Sequence, residues 1–437
     1  MKEFVERYFH VKASGSSIRR EVLAGFVTFL TMSYILVVNP SILSATGMDK
    51  EALFTATALV SIFATLAMAL YAKLPIAQAP GMGLNAFFAF TICGSMGYSW
   101  QFALTAVFLE GIIFILLTFL NVRELIVHSI PQVIKEAIPI GIGLFITLIG
   151  LKNAGIVVPN ADTLVAVGDM GQHSVWIALL GLLVMGVLQV RRVKGSILIG
   201  IAVATLFGVV LGDVDLPHGS LVSTPPSIAP IALQFEWNKI VSLDMLVIVF
   251  TLLFVNLFDT VGTLIGVATQ AGLMDKDGHI LGLKRALMCD ALGTTAASML
   301  GTSTVTAYVE SASGVAAGGR TGLTALSTAL WFVLALFLAP LFLMVPAAAT
   351  SPALILVGLF MMTPISQIDF ANLRNGLPAF LTIVFMPFMY SIAEGIVFGL
   401  LSYTFIYVLS GKARQVTPTV YVISLLFLLK IVVDVVW

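Results

Sequence analysis

The sequence predicts an all-α polytopic membrane protein of fourteen segments, built as seven plus seven, with the second half inserted upside down relative to the first. Three observations predict it. Of 437 residues 59% are hydrophobic and only 10% charged, with a mean hydropathy of +1.06; a soluble chain carries roughly a quarter charged residues. Apolar runs such as "FALTAVFLEGIIFILLTFL", "SVWIALLGLLVMGVLQV" and "ALSTALWFVLALFLAPLFLMV" recur from end to end, each long enough to cross a ~30 Å hydrocarbon core as a helix. The Lys and Arg residues, finally, fall on alternate sides of these runs in a consistent way.

Taken in order, residues 1–20 hold "FVERYFHV", which reads as an amphipathic helix on the cytoplasmic membrane surface. No small-residue cleavage site follows, so a removable signal peptide is not expected. Spans are then placed near 21–44, 52–72, 82–95, 100–120, 136–150, 174–190 and 196–212. The polar stretch "GDVDLPHGSLVSTPPSIAPIALQFEWNK" separates them from a second set near 243–268, 284–301, 307–319, 322–345, 351–363, 377–391 and 394–410. A last apolar stretch, 418–436, is either a further span or an interfacial helix, and Lys430 and Asp434 favour the second.

With the N-terminus inside, all of the 22 basic residues fall on the cytoplasmic side except Lys50, Lys152 and Lys239, with Lys430 ambiguous. Adding or removing one span in the middle would scramble that bias. Seven is odd, so the second half is inverted, and inverted repeats are characteristic of transporters. The third segment is interrupted by Pro75, Pro80, Gly81 and Gly83 before Asn85; the tenth passes from β-branched "TSTVTAYV" into a Gly-rich helix. Broken segments at matching positions point to the binding site, because irregular backbone survives at membrane depth only inside protein or along a cavity.

Enzyme chemistry finds no support. All five histidines (His10, His128, His173, His218, His279) fall in expected loops, and there is no HExxH, CxxC or phosphate-cradling loop. Cys93 and Cys289 lie in apolar segments and suggest neither a disulfide nor a metal set. A net charge of zero gives no reason to expect a nucleic-acid partner. No cofactor and no metal are expected.

Within the membrane the ionisable residues are Glu110, Asp259, Asp290 and Glu310. Intramembrane acids default to a substrate or ion pathway; the alternative for each is a protonated carboxyl bridging two helices. Glu110 and Asp290 sit in regular helical runs, where the structural reading weighs as much as the functional one. Asn256, Asp259, Thr260 and Thr263 recur at i, i+3, i+4 and i+7 and form one polar stripe, which faces protein or water. A packing seam with Gly262 and Gly266 is the plainer account of it.

The stretches "GFVTFLTMSYILVVNP", "APGMGLNAFFA", "LFDTVGTL" and "GTSTVTAYVESASGVAAGGRTGLTA" together resemble the AzgA-type adenine/guanine/hypoxanthine permeases of the nucleobase–ascorbate transporter group, over essentially the whole chain. The resemblance implies a core domain (21–120 and 243–345), a gate domain (121–242 and 346–415) and a C-terminal helix (416–437). It also implies short antiparallel strands in segments three and ten, each leading into a half-helix, with the base bound between them. It implies that Asp259 and Glu310 match the acids of the eighth and tenth spans, Asn85 the third-segment Asn, and Asp290 the ninth-span aspartate. Many relatives carry an acid where this chain has Asn256, which leaves a role in proton coupling at that position open.

Chemistry supports the same assignment. A carboxylate accepts ring N–H groups, and half-helix N–H groups serve a carbonyl or ring nitrogen; Phe87 or Tyr308 can stack on the ring. The expected base site is therefore Gly83, Asn85, Asp259, Thr260, Thr263, Tyr308, Glu310 and Ser311. Asp259 and Glu310 are expected to couple protons, supported by Glu110, Asn256 and Asp290. The expected activity is proton-coupled purine nucleobase uptake across the cell inner membrane by alternating access, with a homodimer, if one forms, meeting through the gate domain. The alternatives are a same-fold carrier for uracil, xanthine or an organic anion, a passive channel, and a hydrolase whose nucleophile–base pair is not found.

Overall fold

The computed structural model describes residues 2–120, 131–216, 220–273, 280 and 282–436. His128, His218 and His279 lie outside the described residues, as do the side chains of Lys430 and Asp434. The architecture is helical throughout apart from two small sheets. Helix α1 (Lys2–Phe9) forms in the amphipathic N-terminal stretch, and Phe9 and Val11 bury their side chains beside Leu323.

The first long apolar run is broken. Helix α2 (Ile18–Met32) ends at Ser33, and α3 (Ile35–Leu43) starts afresh after Tyr34. Helix α4 (Lys50–Ala67) winds on as a π-helix to Ala72. Strand β1 (Gln78–Pro80) follows, then α5 (Met82–Ala86), continuing as π-helix through Phe87–Ser95. Helices α6 (Trp100–Phe119), α7 (Gln132–Asn153), α8 (His173–Val190) and α9 (Ser196–Val210) complete the first half.

The second half runs α10 (Leu243–Ala271), α11 (Leu283–Leu300), β4 (Val305–Ala307), α12 (Ser311–Ala316), α13 (Gly322–Leu336) and α14 (Ala339–Leu343). It ends with α15 (Ala347–Met361), α16 (Leu373–Phe388), α17 (Ile392–Leu409) and α18 (Pro418–Val436). Among the described residues eight helices are long and apolar enough to cross a membrane alone, with shorter apolar helices beside them. This is a multi-pass membrane protein.

One feature was not foreseen. After α7, strands β2 (Val157–Asn160) and β3 (Leu164–Val167) form an antiparallel hairpin, with Asn160 Oδ1 accepting from the Asp162 and Thr163 backbone N–H groups in the turn. The run expected at 322–345 also breaks, at Phe337–Leu338, into two helices.

Strands β1 and β4 are the hinge of the architecture. They pair antiparallel, Gln78 with Ala307 and Pro80 with Val305. Neither third nor tenth segment is long enough to satisfy its backbone alone at membrane depth, so each completes the other's hydrogen bonds. Around the pair, α4, α6, α11 and α13 pack with α2, α3 and α10 as one group. Helices α7, α8, α9, α15, α16 and α17 pack mainly on one another as a second.

Candidate functional site

The β1/β4 pair projects a half-helix from each end. Beyond Ala307, the Tyr308 N–H bonds the Ala77 carbonyl (3.0 Å) and the chain turns at Glu310 into α12. Beyond Pro80, the Gly81 N–H bonds the Thr304 carbonyl (2.9 Å) and the chain turns into α5, which carries Asn85. Glu310 and Asn85 therefore flank the strand pair at opposite ends.

At the first end Glu310 is held by two residues of the first segment. The Tyr34 hydroxyl donates to Glu310 Oε1 at 2.6 Å, and Thr31 Oγ1 donates to the Glu310 carbonyl at 3.4 Å. The break between α2 and α3 falls at Tyr34, and that is what frees the phenol to point at the carboxylate. Gly314 allows α12 to lie against α2: a Cβ there would meet Thr28 Oγ1 at 2.1 Å and the Ala24 carbonyl at 2.7 Å. Arg320 closes this end, its Nη1 donating to the Val315 and Gly319 carbonyls at 2.6 and 2.7 Å, where a cation complements the helix dipole.

A cavity of about 370 Å³ leads to this carboxylate, within the size range of small-molecule sites, about 300–1,000 Å³. Glu310, Ser313 and Thr31 line it from the first group; Gln189 and Phe360 line it from the second, with the exposed Arg192 and Lys194 of the α8–α9 connection also in its wall. Tyr308 and Ser311 face elsewhere. Tyr308 Oη donates to the Pro80 carbonyl at 2.6 Å, and Ser311 Oγ accepts from the Ala77 N–H at 3.0 Å, so both tie the two broken segments together.

At the other end Asn85 is fully buried. Its Oδ1 accepts from the Ser303 hydroxyl, while its Nδ2 has no hydrogen-bond partner. An unpartnered buried amide is costly, and a ligand acceptor is one thing that would satisfy it. Gly83, two residues earlier, faces the second group; a Cβ there would meet Ile142 Cγ2 at 2.7 Å.

The polar stripe of α10 divides. Asp259 turns to the strand pair, where the Thr306 hydroxyl hydrogen-bonds its carboxyl and Glu310 and Asp290 lie within electrostatic reach. Asn256 and Thr260 turn the other way into a buried chain. Thr304 donates to Glu110 Oε2 at 2.5 Å, and Asn256 Nδ2 donates to Glu110 Oε1 at 3.0 Å. Thr260 Oγ1 lies 3.1 Å from Asn256 Oδ1 and 2.9 Å from Asp290 Oδ1, which Gln78 Nε2 also reaches at 3.5 Å. Thr263 is half-buried one turn on, without a described polar contact. Sequence reasoning missed Tyr34, Gln78, Ser303 and Thr304; each lies at a break in a segment, and the break was the signal available.

Comparison with known proteins places this arrangement. The model of the xanthine/uracil permease family, described as a permease family, matches residues 19–398. The adenine permease AdeP of Escherichia coli (strain K12) is 44% identical over 428 residues, covering 98% of this chain and 96% of that protein. The guanine/hypoxanthine permease PbuG of Bacillus subtilis (strain 168) is 43% identical over 436 residues, covering 97% and 99%. Among solved structures, the transmembrane domain of the cyanobacterium bicarbonate transporter BicA superposes with a TM-score of 0.65 at 15% identity, covering 86% of this chain and 97% of that one. Murine Slc26a9, an anion transporter in the inward-facing state, gives 0.65 at 13%, covering 94% and 72%. The two structures establish a shared fold and nothing more, whereas the sequence matches run nearly end to end: this chain belongs to the xanthine/uracil permease family, whose members are transporters and not enzymes.

Proposed function

We propose that this chain carries purine nucleobases across the cell inner membrane, coupled to protons, by alternating access between a core domain and a gate domain. The observation that carries the reading is Glu310: an acid at the tip of a half-helix, oriented by Tyr34, at the end of a cavity between the two helix groups. Relatives named as adenine and guanine/hypoxanthine permeases at over 40% identity supply the substrate class. A purine is flat and neutral and presents N–H donors beside ring acceptors; a carboxylate accepts the former and an amide such as Asn85 Nδ2 donates to the latter.

The first helix group is read as the core domain and the second as the gate domain, in a fourteen-span layout with a cytoplasmic N-terminus. The cavity then opens to the cytoplasm, at the end marked by Arg192, Lys194 and Arg320. Asp259 and Glu310 are the proton-coupling pair in this reading, because carboxyls whose site alternates between dry and hydrated take up and release protons in each cycle. The Glu110–Asn256–Thr260–Asp290 chain backs the strand pair and holds it in register.

The test is uptake of labelled adenine, guanine, hypoxanthine and uracil into cells lacking their own permeases, with and without a protonophore. Saturable accumulation of at least one purine, abolished by the protonophore, is expected. Uptake of uracil alone would overturn the substrate class, and accumulation undiminished by the protonophore would overturn the coupling.

A further inference from the structure

At the end of the bundle away from the cavity, one side chain closes the seam between the two helix groups. Tyr390 lies in the turn between α16 and α17. Its ring meets Phe145 of α7 at 5.2 Å between centroids and 77°, and Phe90 of the π-helix after α5 at 6.2 Å and 71°. Phe145 belongs to the second group and is fully buried; Phe90 belongs to the first. Lys152 Nζ of α7 sits over the Tyr390 ring, 5.1 Å from its centroid. One ring therefore touches both bodies that alternating access requires to separate.

Two further features mark the position. Tyr390 has a φ of +53°, the left-handed region, in a turn where the Tyr390 and Ser391 N–H groups bond back to Pro387 and Met386. A bulky residue there is strained, and such strain persists only where neighbours over-determine it. The phenol oxygen is buried and has no hydrogen-bond partner, so the ring is held by its faces and edges and not by its hydroxyl. Edge-to-face contacts of this kind are additive but individually weak, the properties of a contact that must break and re-form.

Resting on the alternating-access reading above, we propose that Tyr390 is the latch that seals the substrate path on the face opposite the cavity. It clamps Phe90 of the core against Phe145 of the gate while the site opens toward Arg192, and releases Phe90 when the site turns the other way. Gly83 lies seven residues before Phe90 in the same broken segment and faces Ile142 and Met361. The latch thus lies at the end of the same seam that begins beside the strand pair.

The test places a cysteine at Ala86, between Gly83 and Phe90, and measures its rate of labelling in intact cells by a membrane-impermeant thiol reagent. Labelling of the parent's own Cys93 and Cys289 is subtracted. Tyr390→Ala is expected to raise Ala86→Cys labelling several-fold, up to about tenfold, since of its two ring contacts the one with Phe90 crosses between the groups, and losing one such contact shifts a two-state equilibrium by that order. Net purine accumulation should fall while equilibrium purine binding by the purified protein is retained. Tyr390→Phe, which keeps the ring and removes only the unpartnered hydroxyl, should behave as the parent. If Tyr390→Ala fails to fold, Phe90→Leu removes the same contact from the other side and should give the same increase. Labelling unchanged in both variants of a parent that transports purines overturns the latch; a parent that moves no purine overturns the functional reading instead.

Discussion

Glu310 and Asp290 are both acids at membrane depth, yet their surroundings differ. Glu310 shares one oxygen with Tyr34 and opens onto a cavity, while Asp290 is enclosed between Thr260 and Gln78. Glu310→Gln should therefore weaken purine binding by ten- to a hundred-fold, the loss of a charge-assisted hydrogen bond of about 1.5–3 kcal/mol, with little change in melting temperature. Asp290→Ala should instead lower the melting temperature, since it leaves Thr260 and Gln78 with lost partners at about 1–3 kcal/mol. Binding titrations and thermal melts on the two purified variants check both; wild-type affinity in Glu310→Gln would remove it from the site. Asn85→Ala is expected to weaken binding while the protein still reaches the membrane, because its amide nitrogen has no protein partner to lose and its oxygen gives up only the bond from the Ser303 hydroxyl. The four acids and Asn85 were readable as residues because polar groups stand out in apolar runs. Their grouping was not. Positions i+3 and i+4 lie on one stripe but on either side of its midline, so Asp259 reaches Thr306 while Asn256 and Thr260 reach Glu110 and Asp290. Tyr34 looked like one more aromatic in an apolar span until the helix break beside it gave its hydroxyl a direction.

At the scale of elements, the helices follow the apolar runs closely, because length and hydropathy are properties each run carries by itself. The strands at 78–80 and 305–307 were expected from the family resemblance alone; the residues themselves, Pro80 and the β-branched "TSTVTAYV", marked only that the two segments break. What no run carries by itself is its approach to another. Helices α7 and α15 cross at glycines: a Cβ on Gly143 would meet the Gly358 carbonyl at 2.5 Å, and one on Gly358 the Gly143 carbonyl at 2.4 Å. Such backbone-on-backbone crossings are how helices associate where lipid removes the hydrophobic drive. Gly143→Ala should push the pair apart and cost the second helix group about 1–3 kcal/mol, the usual penalty of overpacking. The expected readout is a lower melting temperature and lower expression, with purine affinity of the folded fraction near that of the parent. A Gly143→Ala protein as stable as the parent would mean that the crossing relaxes more easily than its geometry suggests.

The whole molecule shares its fold with BicA and Slc26a9, named for bicarbonate and anion transport, so architecture alone does not choose a substrate. Charge at the centre of the fold does. An anion carrier needs net positive potential where the half-helices meet, yet here Asp259 and Glu310 lie within electrostatic reach of each other at the strand pair. The cations that line the cavity, Arg192 and Lys194, are exposed and belong to the α8–α9 connection. A neutral base with N–H donors can pair with carboxyl groups there, whereas bicarbonate or chloride would gain no cationic partner from them. Any ligand that binds only the folded state raises stability by RT ln(1 + [L]/Kd), about 2.7 kcal/mol at a hundred times Kd. Thermal melts of the purified protein should therefore rise with adenine, guanine or hypoxanthine and stay flat with bicarbonate or chloride at matched ionic strength. At the same ligand concentration the shift should fall to about 0.4–1.4 kcal/mol in Glu310→Gln, in step with its ten- to hundred-fold weaker binding, and survive in Gly143→Ala, which only loosens a helix crossing. Stabilisation by bicarbonate and not by any purine would show that the shared fold, and not the carboxylates at its centre, governs what this protein carries.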